Sequence, residues 1–200
     1  MEEKITFTSG TLTLEALYKK VSSDKGAVIL HPHPLYGGDM NNPVVESLAQ
    51  SFNKKSYTTL RVNFRGVGGS EGSYDEGNGE QEDVLAAIRY LTGQGITSIY
   101  LAGYSYGSWV LGKMKEIPKE VCGQIFVAPP LALLPFEPGI NLPLLKLIIT
   151  GEEDEIAPPE LIRESLAGWN RDARFEIIDF ADHFYFGSFK ALEKVVESFL

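Results

Sequence analysis

Cysteine is almost absent from this sequence of 200 residues, which contains only Cys122. A single thiol cannot form a disulfide within the chain, so a small disulfide-stapled scaffold is excluded. Cys122 stands in the apolar stretch 121–127, where a free cysteine usually behaves as a small hydrophobic residue. We therefore expect a buried thiol without a chemical role.

Long hydrophobic runs and clusters of basic residues are missing as well. No apolar run reaches the ~18 residues of a transmembrane helix, and the opening MEEKITFTSG lacks the apolar core of a secretory signal. The formal net charge is −9, and the 18 lysines and arginines are scattered along the chain. An acidic surface disfavours binding to a phosphate backbone. We expect a cytoplasmic protein with no nucleic-acid and no membrane partner, whose oligomeric state the sequence does not specify.

Short strand-like segments alternate with helix-like segments along the whole chain, without a linker or repeat. Two alternating segments, 5–9 and 12–18, are separated by Gly10 and predict an antiparallel hairpin. Asn42 can cap a helix that has Pro43 at its first position. Further strands are predicted at 27–30, 58–64, 99–102, 125–128, 145–150 and 175–178, and further helices at 80–91, 159–169 and 189–200. This alternation predicts an α/β fold: a mostly parallel sheet with helices on both faces, forming a single domain over residues 1–200.

Residues 99–107 combine a predicted strand with a serine between two glycines, Gly103-Tyr-Ser105-Tyr-Gly107. A strand, such a turn and a following helix are the setting of a nucleophile elbow, in which a strained turn lifts the serine Oγ clear of the sheet. Glycine at the outer positions avoids collisions with neighbouring backbone. The pentapeptide is common, and a glycine-rich turn without chemistry is the competing interpretation. The case for a nucleophile therefore depends on its partners.

A serine hydroxyl needs a base to act as a nucleophile at neutral pH. The chain contains three histidines, and sites built on this elbow follow the chain order serine, acid, histidine. Only His183 lies after Ser105, so it is the candidate base. The candidate acid is Asp154, which follows the predicted strand 145–150 and would orient the imidazole. Other carboxylates compete for this role, namely Glu152, Glu153 and Glu155 in the same turn, with Asp179 and Asp182 as weaker candidates.

The segment 31–38 follows the third predicted strand and reads His-Pro-His-Pro-Leu-Tyr-Gly-Gly. An oxyanion hole takes one backbone N–H from such a loop and a second from the residue after the nucleophile, here Tyr106. Proline has no N–H, so we favour His33 as the loop donor, with Tyr36 as the second choice. His31 and His33 also resemble a metal-ligand pair, but a metal site needs at least three protein ligands. A metal-dependent hydrolase is thus a minor alternative, and we expect no metal and no cofactor.

A third glycine-rich segment, 64–72, follows a predicted strand. Glu71 stands where a dinucleotide-binding loop requires glycine, and a P-loop lysine is also missing. We interpret the segment as a structural turn that borders the pocket.

Taken together, these motifs resemble the α/β-hydrolase superfamily, in particular its small, lid-poor, bacterial-type serine esterases. The resemblance rests on the segments 31–42, 64–72 and 103–107, Gly151-Glu-Glu-Asp154 and Asp182-His183-Phe184. The chain is also distantly similar to dienelactone hydrolases, which carry a cysteine where this chain has Ser105. The resemblance implies the α/β-hydrolase fold without a large cap, and hydrolysis of small or medium carboxylic esters or thioesters through an acyl-enzyme on Ser105.

The expected partner is therefore a small-molecule ester or thioester. The main alternative is a non-catalytic ligand-binding protein of the same fold, because fold does not fix function. Segment 129–143 is too short for a cap domain. Its apolar residues either form a rim around the cleft or pack a crossover helix into the core, and the residues concerned are Leu131, Leu133, Leu134 and Phe136.

Overall fold

The computed structural model describes all residues from Met1 to Leu200. Its strands are β1 (Glu3–Ser9), β2 (Leu12–Lys19), β3 (Lys25–Leu30), β4 (Thr58–Val62), β5 (Ser98–Tyr104), β6 (Val121–Val127), β7 (Leu145–Gly151) and β8 (Arg174–Ile178). Its helices are α1 (Pro43–Lys54), α2 (Gly79–Gly93), α3 (Tyr106–Lys113), α4 (Pro159–Trp169) and α5 (Phe189–Phe199). A short 3₁₀ helix spans Pro34–Tyr36.

All eight strands form one sheet in the order β1-β2-β4-β3-β5-β6-β7-β8. The β1–β2 and β2–β4 pairs are antiparallel, and every other pair is parallel. Ser9 pairs with Leu12 across a two-residue turn, in which Gly10 adopts a φ of +60° that glycine reaches without steric cost. The predicted mostly parallel sheet with an N-terminal hairpin is confirmed, and its carboxyl-terminal edge is where ligand sites of such sheets form.

The helices cover both faces of the sheet. The Oδ1 atom of Asn42 accepts the N–H of Val44 at 2.9 Å, and Pro43 occupies the first position of α1, as the sequence predicts. Helix α1 packs against α5, and α2 packs against α3. None of the helices is long and apolar enough to cross a bilayer.

The connection between β6 and β7 carries neither a helix nor a strand. The chain therefore has no cap, as predicted, and the alternative of a crossover helix is wrong. The apolar side chains of this segment divide between two places. Leu133 and Leu134 line the cleft beside Ser105, whereas Phe136 packs at a tilt against Trp169 with a centroid distance of 4.6 Å.

The glycine-rich segment 64–72 does not border that cleft, contrary to the prediction. It packs instead on the N-terminal hairpin. The carboxylate of Glu15 in β2 accepts the N–H of Gly69 at 2.6 Å and the side-chain amide of Asn63 at 2.7 Å. Gly68 adopts a φ of +57°, and a Cβ there would also collide with the same carboxylate, so the position favours glycine.

Cys122 is exposed, so the prediction of a buried thiol is wrong. The pairing of β5 and β6 shifts register between Ile99 and Tyr100, which face Val121 and Gly123. Cys122 is the extra residue of this irregularity and is left without a cross-strand partner, as in a β-bulge. Because a bulge turns its extra residue away from the regular alternation, hydropathy alone misplaces the side chain.

Candidate active site

Ser105 lies at the tight turn between β5 and α3. Its backbone adopts φ 50° and ψ −113°, a strained conformation that costs on the order of 1–3 kcal/mol for a residue with a Cβ. The N–H of Ser105 donates to Val127 O at 2.8 Å, which ties the turn to β6. A Cβ on Gly103 would collide with the backbone of Gly107. A Cβ on Gly107 would lie 2.8 Å from the carbonyl oxygen of Leu30. The turn therefore has the geometry of a nucleophile elbow.

His183 connects Ser105 to a carboxylate. Its Nε2 lies 3.0 Å from the Oγ of Ser105, and its Nδ1 lies 3.0 and 2.9 Å from the two carboxylate oxygens of Asp154. With the ring proton on Nδ1, the imidazole donates to Asp154 and accepts from the serine hydroxyl. All three residues are buried, with at most 7% of each residue exposed. This is the arrangement in which an imidazole can take the serine proton and a buried carboxylate can stabilise the resulting cation.

Asp154 is held in place from its far side. Its Oδ1 accepts the N–H groups of Ile156 at 2.9 Å and Ala157 at 2.7 Å. These two donors fix the plane of the carboxylate relative to the imidazole. The carboxylate is therefore positioned before any substrate arrives.

None of the competing carboxylates contacts the imidazole. Glu152 instead accepts the N–H of Phe180 at 3.0 Å, and Asp182 accepts the N–H of Phe184 at 3.0 Å. Glu153, Glu155 and Asp179 are exposed. Of the acids that the sequence left open, the fold brings only Asp154 to His183.

Within residues 33–38 of the loop, one backbone N–H is free. The N–H of Leu35 donates to the Nδ1 of His33, and those of Tyr36 and Gly38 both donate to the carbonyl oxygen of His33. The N–H of Gly37 is taken by Pro34 O. Only the N–H of His33 has no acceptor in this stretch. Tyr36, the second choice from the sequence, is thus already engaged.

His31 fixes the carbonyl of the peptide unit that joins Pro32 to His33. The Nδ1 of His31 lies 2.6 Å from Pro32 O, and its Nε2 accepts the N–H of Phe64 at 3.1 Å. In a trans peptide the carbonyl and the following N–H point in opposite directions. Because Pro32 O is held toward the buried ring of His31, the N–H of His33 points away from it. The N–H of Tyr106, on the other side of the cleft, also has no acceptor within the chain.

His31 and His33 do not form a metal site with a third side chain. Both ring nitrogens of His31 are engaged within the protein. No group of three or more His, Cys, Asp or Glu side chains is arranged to hold a metal ion. Burial lowers the pKa of His31 from its usual 6.5 to about 4, so the ring is neutral near pH 7. His31 is a structural link between the ends of β3 and β4.

The cleft above Ser105 has a volume of about 510 Å³. Its walls come from the loop 32–38, from the β6–β7 connection through Leu133 and Leu134, and from Ile156 and Phe184. No Lys, Arg, Asp or Glu lines it. Sequence reasoning missed the contributions of Ile156 and Phe184, although each lies within two residues of a predicted site residue. The cleft suits an uncharged, mainly apolar group.

The chain is similar to known proteins both in sequence and in structure. No family model matches the sequence. An uncharacterized protein of Rickettsia prowazekii (strain Madrid E) is 30% identical over 209 residues, which cover 98% of this chain and 88% of that protein. The structure of an α/β serine hydrolase homologue from Coxiella burnetii is similar with a TM-score of 0.89 and 32% identity, covering 98% of this chain and 96% of that one. An α/β serine hydrolase without a lid from Xanthomonas campestris has a TM-score of 0.88 and 27% identity, with 98% and 92% of the two chains covered.

The fold, the elbow and these similarities define the class of this protein, which belongs to the α/β-hydrolase superfamily. Within that superfamily it is one of the small hydrolases whose sheet carries no lid.

Proposed function

We propose that this protein is a serine hydrolase that cleaves small or medium carboxylic esters or thioesters with uncharged acyl groups. The observation that carries the proposal is the continuous hydrogen-bond chain from Ser105 Oγ through His183 to Asp154. A surface serine has no need of such a chain, whereas a nucleophile does.

The reaction follows from this geometry in two stages. Ser105 Oγ attacks the acyl carbon while His183 Nε2 takes the hydroxyl proton, and the carbonyl oxygen becomes an oxyanion. The N–H groups of Tyr106 and His33 donate to that oxyanion, at the positive end of α3. As the tetrahedral intermediate collapses, His183 returns the proton to the leaving alcohol or thiol, and an ester of Ser105 remains.

Water then reverses the sequence. His183 Nε2 takes a proton from water, the hydroxide adds to the acyl carbon, and the second tetrahedral intermediate releases the carboxylic acid. Ser105 recovers its proton from His183. Asp154 keeps the imidazole in the required tautomer and stabilises its cation in both stages.

The composition of the cleft supports the choice of substrate. Burial of a charged acyl group without a partner costs several kcal/mol or more, and no cationic side chain lines the cleft to compensate for it. The absence of a cap leaves the mouth open between Tyr36 and Leu133, which are both largely exposed. A neutral ester or thioester therefore fits better than a substrate with an anionic acyl group.

Covalent labelling and kinetics test this proposal together. A fluorophosphonate probe should add its mass at Ser105 in the wild type and not in Ser105→Ala. With a nitrophenyl ester of a short acid, His183→Ala should lower kcat by about a thousandfold or more, and Asp154→Asn by a similar factor. Glu153→Gln is the matched control and should keep full activity. If Ser105→Ala retained activity, Ser105 would not be the nucleophile. If the wild type neither reacted with the probe nor hydrolysed the ester, the protein would be a non-catalytic binder of this fold.

A further inference from the structure

The side chain of His33 is surrounded by aromatic rings on the wall of the cleft. Its ring centroid lies 4.9 Å from that of Tyr36, 5.2 Å from that of Tyr74 and 4.7 Å from that of Tyr106. The contact with Tyr106 joins the loop 31–38 to the start of α3. The two residues proposed to supply the oxyanion donors thus pack on each other through their side chains.

The ring also holds the backbone of its own loop. Its Nδ1 accepts the N–H of Leu35 at 3.2 Å at the start of the 3₁₀ helix. Accepting this bond requires a lone pair on Nδ1, which places the proton of the neutral ring on Nε2. Nε2 lies 3.4 Å from the hydroxyl of Tyr74, which is a long contact. The imidazole therefore performs the task that Asn or Asp side chains perform in Asx turns, where they accept the N–H two residues further on.

We propose that the neutral imidazole of His33 is a positioning residue that aligns the backbone N–H groups of His33 and Tyr106 toward the oxyanion, and that protonation of this ring disrupts the alignment. The proposal rests on the proposed function, because it assigns a role to a side chain of the same site. Its physical basis is that a protonated Nδ1 would direct a second donor at the N–H of Leu35. The turn at Pro34–Tyr36 then loses its capping bond, and the peptide that carries the N–H of His33 gains freedom.

The surroundings of the ring offer its cation no ionised partner. Tyr36 of its own loop, Tyr74 of the loop before α2 and Tyr106 of α3 face it, His31 lies two residues back, and Ser105 and His183 stand across the cleft. Burial and the charge of Glu80 in α2 raise the pKa of Tyr106. Burial lowers the pKa of His31, and the charge of Asp39 partly offsets this lowering. Neither carboxylate hydrogen-bonds to His33. Burial lowers the pKa of His33 below its usual value, so the ring is neutral at pH 7.

Two substitutions of His33 separate positioning from simple filling of space. His33→Leu keeps most of the volume and removes the acceptor, whereas His33→Asn restores an acceptor for the N–H of Leu35. We expect kcat on a short nitrophenyl ester to fall by about a hundredfold in His33→Leu, the effect of losing one oxyanion donor, with KM changed much less. In His33→Asn, kcat should recover to within about tenfold of the wild type. The thermal midpoints of both variants should be measured alongside, to show that both are folded.

The pH profile supplies a readout that a merely structural role would not move. In the wild type, protonation of His33 should add a step to the acid limb of the profile of log kcat/KM against pH. This step should be absent from His33→Asn, whose acid limb should be shallower by one proton. A wild-type value of kcat in folded His33→Leu, or equal losses in the Leu and Asn variants, would overturn the inference while leaving the proposed function intact. Absence of fluorophosphonate labelling in the wild type would overturn both.

Discussion

The phenol of Tyr104, the residue just before the elbow serine, donates a hydrogen bond to the carbonyl oxygen of His183 at 2.8 Å. The two residues are 79 positions apart in the sequence, and both are buried. Burial raises the pKa of Tyr104, so the phenol remains a donor over the whole working range of pH. The strand that carries the serine therefore also holds the loop that carries the imidazole.

Removal of this hydroxyl should loosen His183 relative to Ser105. We expect Tyr104→Phe to lower the free energy of unfolding by about 1–2 kcal/mol, because the carbonyl of His183 loses its buried donor. The value of kcat should fall by about tenfold through the misplaced base, since small errors in geometry are costly to catalysis. Urea unfolding and ester kinetics measure the two effects. Tyr90→Phe is the control, since Tyr90 packs by its ring against Phe7 and Tyr18, and an equal effect there would contradict the explanation.

His31 should make the fold sensitive to acid. In the unfolded chain its pKa is near the usual 6.5, whereas in the folded protein burial lowers it to about 4. The unfolded state therefore binds the proton more readily than the folded state. The contribution of neutral His31 to the free energy of unfolding is complete above pH 6.5 and is lost as the pH falls toward 4. The loss approaches about 3 kcal/mol. Urea unfolding at several pH values between 7 and 4 should show a shallower decline in His31→Gln than in the wild type. Parallel curves would show that another group controls this range.

The elbow should tolerate no side chain at position 107. A Cβ there would lie 2.8 Å from both the Cβ and the carbonyl oxygen of Leu30, and backbone cannot move aside as a flexible side chain can. Gly107→Ala should cost about 1–3 kcal/mol of stability, as overpacking does in cores, and should abolish fluorophosphonate labelling. Gly168→Ala in α4 is the control, because a Cβ there meets nothing within 4 Å. That variant should be as stable as the wild type or slightly more stable, by about 0.5–1 kcal/mol.

The wall of the cleft should determine which acyl chains are accepted. Leu134 lines the cleft, whereas Leu161 lies on α4 and does not. Leu134→Trp should shorten the space for the acyl group and lower the ratio of kcat/KM for an octanoyl to an acetyl nitrophenyl ester by about tenfold or more. Leu161→Trp should leave this ratio unchanged. If the ratio were unaffected in Leu134→Trp, the acyl chain would lie elsewhere in the cleft.

Local sequence patterns were sufficient for the sheet, the helices and the meeting of Ser105 with His183. A strand running into a glycine-flanked serine fixes where the turn forms, and a single histidine downstream leaves little choice of partner. Asp154 was harder to choose, because its neighbours Glu152 and Glu153 have the same charge. What selects it is the pair of N–H groups from Ile156 and Ala157, which depends on how the turn folds.

The failures of prediction come from contacts between distant parts of the chain. Segment 64–72 packs on Glu15, for example through the hydrogen bond that the N–H of Gly69 donates to the Glu15 carboxylate. These two residues are 54 positions apart in the sequence, so no local pattern indicates the contact. Which side chains of segment 129–143 line the cleft likewise depends on a distant residue. Phe136 packs against Trp169 instead of lining the cleft. Cys122 was misplaced because a change of strand register cannot be seen in hydropathy.

The exposed position of Cys122 has a practical consequence. It is the only thiol of the chain and lies at the start of β6, whereas Ser105 follows the opposite end of the neighbouring parallel strand. Five residues of strand separate these two ends, a span of about 17 Å. A maleimide dye will therefore attach at one defined point without entering the cleft. Paired with a fluorescent phosphonate on Ser105, it forms a donor and acceptor at a fixed short separation, built on the native sequence without any engineered cysteine.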